Sequence, residues 1–174
     1  QRFGLIKTLL EMGAKLKLKN KRYLGNEIVA TIEAEYSILK GIDVPKSRAP
    51  SMIDEYPILC VASAKAKGIT TMSGISELRV KETDRIKLMV NGLRKAGIEV
   101  VEEPDCLKVK GGNVLGGCKI SSELDHRIAM SFIILGLISE RPIQITGCET
   151  ISTSFPNFIN QMKNLGAKIS ESNQ

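Results

Sequence analysis

Tryptophan is absent from this sequence of 174 residues, and aromatic rings come from only three Tyr and four Phe. Proteins that grip single-stranded nucleic acid stack bases on such rings, so the stacking platform is poorly supplied. Histidine occurs once, at His126, and Cys60, Cys106, Cys118 and Cys148 fall at no C-x-x-C spacing. Neither a zinc site nor a redox pair is spelled out, and no metal or cofactor is expected. The four thiols read as reduced and buried, in a cytoplasmic protein. Long apolar runs are missing too. The longest, Ile128 to Ile138, is interrupted by Ser131 and Gly136 and falls well short of the roughly 20 residues that cross a bilayer. Gln1 to Lys7 has no basic stretch leading into an apolar core, as an export leader would. The expectation is a chain with no membrane partner and no nucleic-acid partner.

What is present suits a folded domain: 43% hydrophobic residues can build a core, and 25% charged residues can solvate its surface. A length of 174 residues suits a single domain. The net charge of +6 admits steering of anionic small molecules or nonspecific attraction to nucleic acid, and charge alone does not choose. The densest basic stretch, Lys15 to Arg22, alternates Lys15, Lys17, Lys19 and Lys21 with Leu16 and Leu18. That alternation predicts a strand with one solvated face.

The chain repeats itself. Leu10–Leu16, Arg94–Val100 and Lys163–Ile169 share one pattern, a helix end, a glycine stop at Gly13, Gly97 or Gly166, and the start of a strand. Apolar residues precede each glycine at helical spacing, as in Ile86, Met89, Val90 and Leu93. A second element recurs from Asp54 and from Asp125, each placed to cap a largely apolar helix. Strands ending in Gly74 and Gly147 follow these helices, and strands at Leu39–Val44 and Leu115–Ile120 precede them. The pattern predicts an α/β (α+β) fold of repeated βαβαββ units with approximate threefold symmetry. Units begin near residues 39 and 114, both expected to be complete, while the first copy starts at its second helix.

Polar residues that the repeat does not require are the candidates for chemistry. Ser76 to Arg85 crowds Arg79, Lys81 and Arg85 with Glu77, Glu82 and Asp84 where a strand hands over to a helix. One reading is a solvated loop with Thr83 as the helix cap. The other is an anion site, because a helix N-terminus carries unpaired N–H groups and positive dipole, and Lys81 and Arg85 stand beside it. Arg85 can grip a carboxylate or phosphate through two parallel hydrogen bonds. Glu82 is then a candidate acid or base, and Asp54 either a helix cap or a base toward a substrate hydroxyl. Asp125-His126-Arg127 places a further cation at another helix start, making Arg127 a candidate second anion ligand, while His126 is expected to be a structural hydrogen-bonding residue.

The run Leu78-Arg79-Val80-Lys81-Glu82-Thr83-Asp84-Arg85-Ile86 is similar, nearly letter for letter, to a signature of the enolpyruvylshikimate phosphate (EPSP) synthases. Met52–Pro57, Asp125–Met130 and Thr153-Ser154-Phe155-Pro156 agree in order and spacing. The resemblance covers residues 3 to about 170 and implies the C-terminal domain, residues 1–174 here, of a two-domain clamp whose N-terminal domain is the missing partner. It implies transfer of the enolpyruvyl group of phosphoenolpyruvate to the 5-hydroxyl of shikimate 3-phosphate, with release of phosphate, without metal or cofactor, by a monomer. Carried over to this sequence, Asp54 accepts the hydroxyl proton and binds the shikimate ring. Lys81 contacts shikimate and supports proton transfer, and Glu82 handles the proton of the methylene carbon. Arg85 and Arg127 bind phosphoenolpyruvate. Two positions depart from some members. Thr153 stands where a Lys ligand of phosphoenolpyruvate occurs, and Glu77 where an Asn contacts shikimate. Weighed beside this reading are the related enolpyruvyl transferase acting on UDP-N-acetylglucosamine and a noncatalytic anion- or RNA-binding module.

Overall fold

The computed structural model describes residues 3–171, so Gln1, Arg2 and the last three residues lie outside it, and with them the start of the segment read for an export leader. Helix α1 (Gly4–Glu11) leads into the antiparallel hairpin β1 (Lys15–Leu24) and β2 (Glu27–Glu35). Then come β3 (Asp43–Val44), 3-10 turns at Lys46–Ser51 and Ile53–Glu55, and α2 (Tyr56–Ala64). Next are β4 (Ile69–Ser73), a 3-10 turn at Ser76–Val80, α3 (Arg85–Lys95), β5 (Glu99–Glu103) and β6 (Cys106–Lys110). The chain closes through β7 (Lys119–Ser121), α4 (His126–Leu137), β8 (Gln144–Thr146), α5 (Ile151–Ser154) and α6 (Phe158–Asn164).

The middle unit is complete and explains the other two. Its sheet runs β3-β4-β6-β5, with β3 parallel to β4 across the α2 connection and β6 antiparallel to both β4 and β5. Parallel neighbours need a crossover of this kind, which is why an apolar helix separates them. The β1–β2 hairpin repeats the β5–β6 half of that sheet, and the parallel pair β7–β8, joined through α4, repeats the β3–β4 half. The expected second complete unit is therefore not seen among the described residues. After Gly166 the described residues 167–171 carry no strand, and among the described residues no antiparallel neighbour of the β6 kind pairs with them. The three stop glycines do behave as read, with φ of 91° at Gly13, 90° at Gly97 and 96° at Gly166. Only glycine adopts that region without a side-chain penalty.

Helices α2, α3 and α4 meet at the centre. Leu59, Val90, Leu93, Phe132 and Leu135 are fully buried there. Helix α2 is apolar around most of its circumference, as a helix enclosed on several sides must be. Gly92 allows the closest approach, since a Cβ at that position would lie 2.1 Å from Cζ of Phe132. Outside this centre, Arg48 reaches back to α1 with a bidentate pair to Glu11, at 2.6 and 2.8 Å, and a hydrogen bond of 3.0 Å to Thr8. The basic stretch at the start of β1 is a strand as expected, with Lys15, Lys17 and Lys19 exposed and Leu16 and Leu18 half-buried. Among the described residues no helix is long and apolar enough to cross a membrane.

Candidate functional site

Packing α3 against α4 and α2 brings three helix beginnings together, and the charged residues at those beginnings form one network. Its centre is Arg85, the first residue of α3, whose side chain is only 1% exposed. All three nitrogen positions of its guanidinium meet a carboxylate. Nε donates to Oδ2 of Asp125 at 2.8 Å, Nη1 to Oδ1 of Asp54 at 3.3 Å, and Nη2 to Glu82. Arg127, the second residue of α4, donates through Nη1 to the backbone carbonyl of Asp54 at 3.1 Å, and its Nη2 lies 3.8 Å from the Asp54 carboxylate. Both arginines thus converge on Asp54.

Two of the expected helix caps are placed differently. Asp54 does not cap α2: it sits within the 3-10 turn Ile53–Glu55, and α2 begins at Tyr56 with Pro57, which lacks an N–H and so leaves one less donor to satisfy. Its carboxylate is thereby turned toward the two arginines. Thr83 does not cap α3 either, since Asp84 accepts from the Lys87 N–H at 2.9 Å, while the Thr83 hydroxyl donates to Asp125 at 3.1 Å. Asp125 does cap α4, accepting from the N–H groups of Arg127 and Ile128. Burial would raise its pKa, but the Arg85 hydrogen bond and charge and the two capping N–H groups outweigh that and hold it below the usual carboxylate value. His126, half-buried, makes no side-chain hydrogen bond among the described residues, against its reading as a hydrogen-bonding residue.

The remaining candidates stand around or apart from this network. Lys81 donates to Glu77 one helical turn back, and Glu77 is mostly exposed. Thr153 lies on α5, exposed, with its hydroxyl donating to the Thr150 carbonyl at 2.8 Å, and it makes no hydrogen bond to the arginines or their carboxylates. Arg79, within the signature run but outside the candidate set, anchors the whole loop. It donates to the backbone carbonyls of Pro104 and Glu103, each at 2.9 Å, and pairs with Asp84 at 3.1 Å and Glu102 at 3.0 Å. The Asp105 carboxylate fastens the loop's other end by accepting from the Ser76 N–H at 2.8 Å. Nothing in the sequence paired Arg79 with the β5–β6 turn, because those partners lie more than 20 residues away. Cys60 is buried and its thiol is pushed up to about 12 by that burial, and all four cysteines are free.

Chemically, the network is a set of hydrogen-bonding carboxylates and guanidinium groups that can hold an anion and move protons beside it. Behind Arg85 there is room for a water and no more, a void of about 10 Å³ lined by Tyr56, Cys60, Met72 and Leu107 among others. The open side is that of Glu82, whose side chain is 54% exposed. A repeat-built α/β chain with arginines and carboxylates gathered at its helix starts is the class that fold and site define.

This chain belongs to the EPSP synthase (3-phosphoshikimate 1-carboxyvinyltransferase) family, whose pattern it matches over residues 2–162. It is 52% identical over 173 residues to the 3-phosphoshikimate 1-carboxyvinyltransferase of Chelativorans, a match that takes in 98% of this chain and 38% of that protein. The enzyme of that name from Bartonella henselae is 52% identical over 172 residues, 97% of this chain and 39% of its own length. Among solved structures, EPSP synthase from Acinetobacter baumannii superposes with a TM-score of 0.92 at 39% identity, covering 98% of this chain and 40% of that one. The chain therefore spans about two fifths of the length of the relatives it matches, with the fold of one part of a larger enzyme.

Proposed function

We propose that this chain forms one side of an active site that transfers the enolpyruvyl group of phosphoenolpyruvate to the 5-hydroxyl of shikimate 3-phosphate. The observation that carries the reading is the convergence of Arg85 and Arg127 on Asp54, with Glu82 on the exposed side of Arg85. In the addition, the 5-oxygen bonds to C2 of phosphoenolpyruvate as Asp54 takes the hydroxyl proton and Glu82 supplies a proton to C3. In the elimination, Glu82 takes a proton back from C3 and the bond from C2 to the phosphate oxygen breaks, releasing phosphate. Arg85 and Arg127 hold the carboxylate and phosphate of phosphoenolpyruvate through charge-assisted hydrogen bonds. Lys81 and Glu77 are assigned to shikimate 3-phosphate and Thr153 to phosphoenolpyruvate, on the resemblance of their positions to the family's substrate ligands.

This side is read as one part of a larger site, since the chain spans 38% of the length of the Chelativorans relative. Among the described residues, Arg85 and Arg127 pair with Asp54, Glu82 and Asp125, and Lys81 pairs with Glu77, so each of these cations already meets a carboxylate. A multiply charged anion needs a surplus of positive charge, and its carboxylate must displace Glu82 from Arg85. Further substrate-binding residues and the other wall of the cleft come from an N-terminal domain, with which this chain works as a cytoplasmic monomer.

The test is a pair of assays for phosphate release. This chain alone is expected to be silent even at high protein concentration, because half a cleft cannot position two substrates. Joined in frame to the N-terminal remainder of the Chelativorans relative, it is expected to turn over both substrates. Turnover by the isolated chain near that of the joined enzyme rejects the two-sided site, and silence of the joined enzyme rejects the activity.

A further inference from the structure

A helix cap needs one acceptor oxygen, and Asp125 uses only one for that purpose. Its Oδ1 accepts from the N–H groups of Arg127 at 2.9 Å and Ile128 at 3.3 Å. The other oxygen, Oδ2, faces away from α4 and accepts from Arg85 Nε at 2.8 Å and from the Thr83 hydroxyl at 3.1 Å, residues some 40 positions earlier in the chain. The residue is 0% exposed. Removing an ionised carboxylate from water costs several kcal/mol before pairing offsets it, whereas a neutral Ser or Asn caps a helix about as well. The start of α3 makes the comparison within the same molecule: Asp84 caps it while remaining partly solvated and pairing with Arg79 at the rim. Capping alone does not account for a fully buried charge at the start of α4.

The second oxygen has a definite geometric effect. With Nε tied down, the plane of the Arg85 guanidinium is set and its two Nη groups are directed at Asp54 and Glu82. The first oxygen sets the start of α4, and with it the backbone from which Arg127 reaches Asp54. One carboxylate thus governs the relative placement of both arginines.

We propose that Asp125 is a positioning residue that fixes Arg85 and Arg127 as a single rigid clamp for the phosphoenolpyruvate anion. This rests on the reading of those arginines as phosphoenolpyruvate ligands. Asp125 touches no substrate itself; it acts through the orientation of Arg85 and the start of α4.

The experiment uses the joined enzyme with Asp125→Asn and Asp125→Ser. Both side chains keep an oxygen that can cap α4, and neither offers Arg85 Nε a charged acceptor. The expected result is a KM for phosphoenolpyruvate raised about tenfold or more, with the KM for shikimate 3-phosphate changed by less than about threefold, in proteins that melt cooperatively. In the isolated chain, the Arg85 Nε–H resonance should shift and lose its protection from exchange in both variants. An unchanged KM for phosphoenolpyruvate in variants that turn over overturns the proposal and leaves the activity standing. So does a fall in the fraction of active enzyme with KM intact, which marks a purely structural role, and so does failure of both cap-preserving variants to fold. Absence of turnover in the unsubstituted joined enzyme instead overturns the functional reading, and the proposal with it.

Discussion

At the scale of single residues, the network around Arg85 makes stability depend on pH in a predictable direction. Asp125 is held below its ordinary pKa against the opposing effect of burial, chiefly by Arg85. Glu11 is held low mainly by its hydrogen bonds from Arg48. A carboxylate whose folded pKa is depressed contributes stability above its unfolded pKa of about 4, and that contribution is lost as pH falls through the folded value. The urea midpoint of this chain is therefore expected to be nearly flat from pH 7 to about pH 5 and to fall steeply below about pH 4. Asp125→Asn should start lower at neutral pH and lose less on acidification. A variant whose acid slope equals that of the unsubstituted chain would show that Asp125 does not carry the effect. The same residues mark how far the sequence could be read. Asp54, Glu82, Arg85 and Arg127 were legible as candidates beside a structural reading as solvated loop and helix cap, because the repeat does not require their charges, and the structure brings those four together. That Asp125 pairs with Arg85, and Thr83 with Asp125, was not identifiable, because the partners are some 40 residues apart and spacing carries no information about contacts of that range.

At the scale of elements, local signals were clearest where one residue type has one conformational use. Gly13, Gly97 and Gly166 end their helices in the left-handed region, as the repeat implied. Strand formation is different, because a strand exists only beside a partner. The apolar alternation after Gly97 becomes β5 next to β6, whereas the similar alternation after Gly166 has no strand neighbour among the described residues and is irregular there. Contacts between helices were also hidden, and Gly92 is the example. In the sequence it reads as a weakness inside α3, since glycine costs about 1 kcal/mol relative to alanine there. In the fold it is the place where Phe132 of α4 rests against the α3 backbone, with no space for a Cβ. Gly92→Ala gains helix propensity but must push Phe132 out of a closely packed centre. The clash is expected to win, with a net loss of about 1–3 kcal/mol in urea unfolding. A neutral or stabilising Gly92→Ala would mean that α3 and α4 can separate freely. Because Arg85 and Arg127 sit at the starts of these two helices, the same variant in the joined enzyme should also raise the KM for phosphoenolpyruvate.

At the scale of the whole molecule, the three units share one blueprint but not one degree of completion, and this decides where the chain is firm. The middle unit has a four-stranded sheet, and the apolar side chains Val100, Leu107 and Val109 of β5 and β6 are buried against helices. The β1–β2 hairpin is the same half-sheet without its β4-like neighbour. Leu18 faces Ile32 and Tyr23 faces Ile28 across this ribbon, yet Ile32 is 52% exposed and Tyr23 75% exposed. Two strands alone are marginal in water, since the backbone hydrogen bonds are solvent-exposed and little apolar surface is removed from it. Hydrogen exchange on the isolated chain should therefore be bimodal, with amides of β1 and β2 exchanging through local opening and those of α2, α3, α4 and β6 only through global unfolding. Joining the N-terminal remainder of a relative should raise protection in β1 and β2 toward that of β5 and β6 if the added chain supplies the strand that pairs with the free edge of β2. Equal protection in both hairpins of the isolated chain would mean that the ribbon is stable by itself, and the exposed face of Ile28, Ile32 and Tyr23 would then need no covering segment. Loss of the charged signature loop is not expected to accompany opening of the ribbon, because Arg79 and Asp105 fasten that loop to the middle unit. The site, carried by the middle unit together with the start of α4, can thus remain assembled while the β1–β2 ribbon opens.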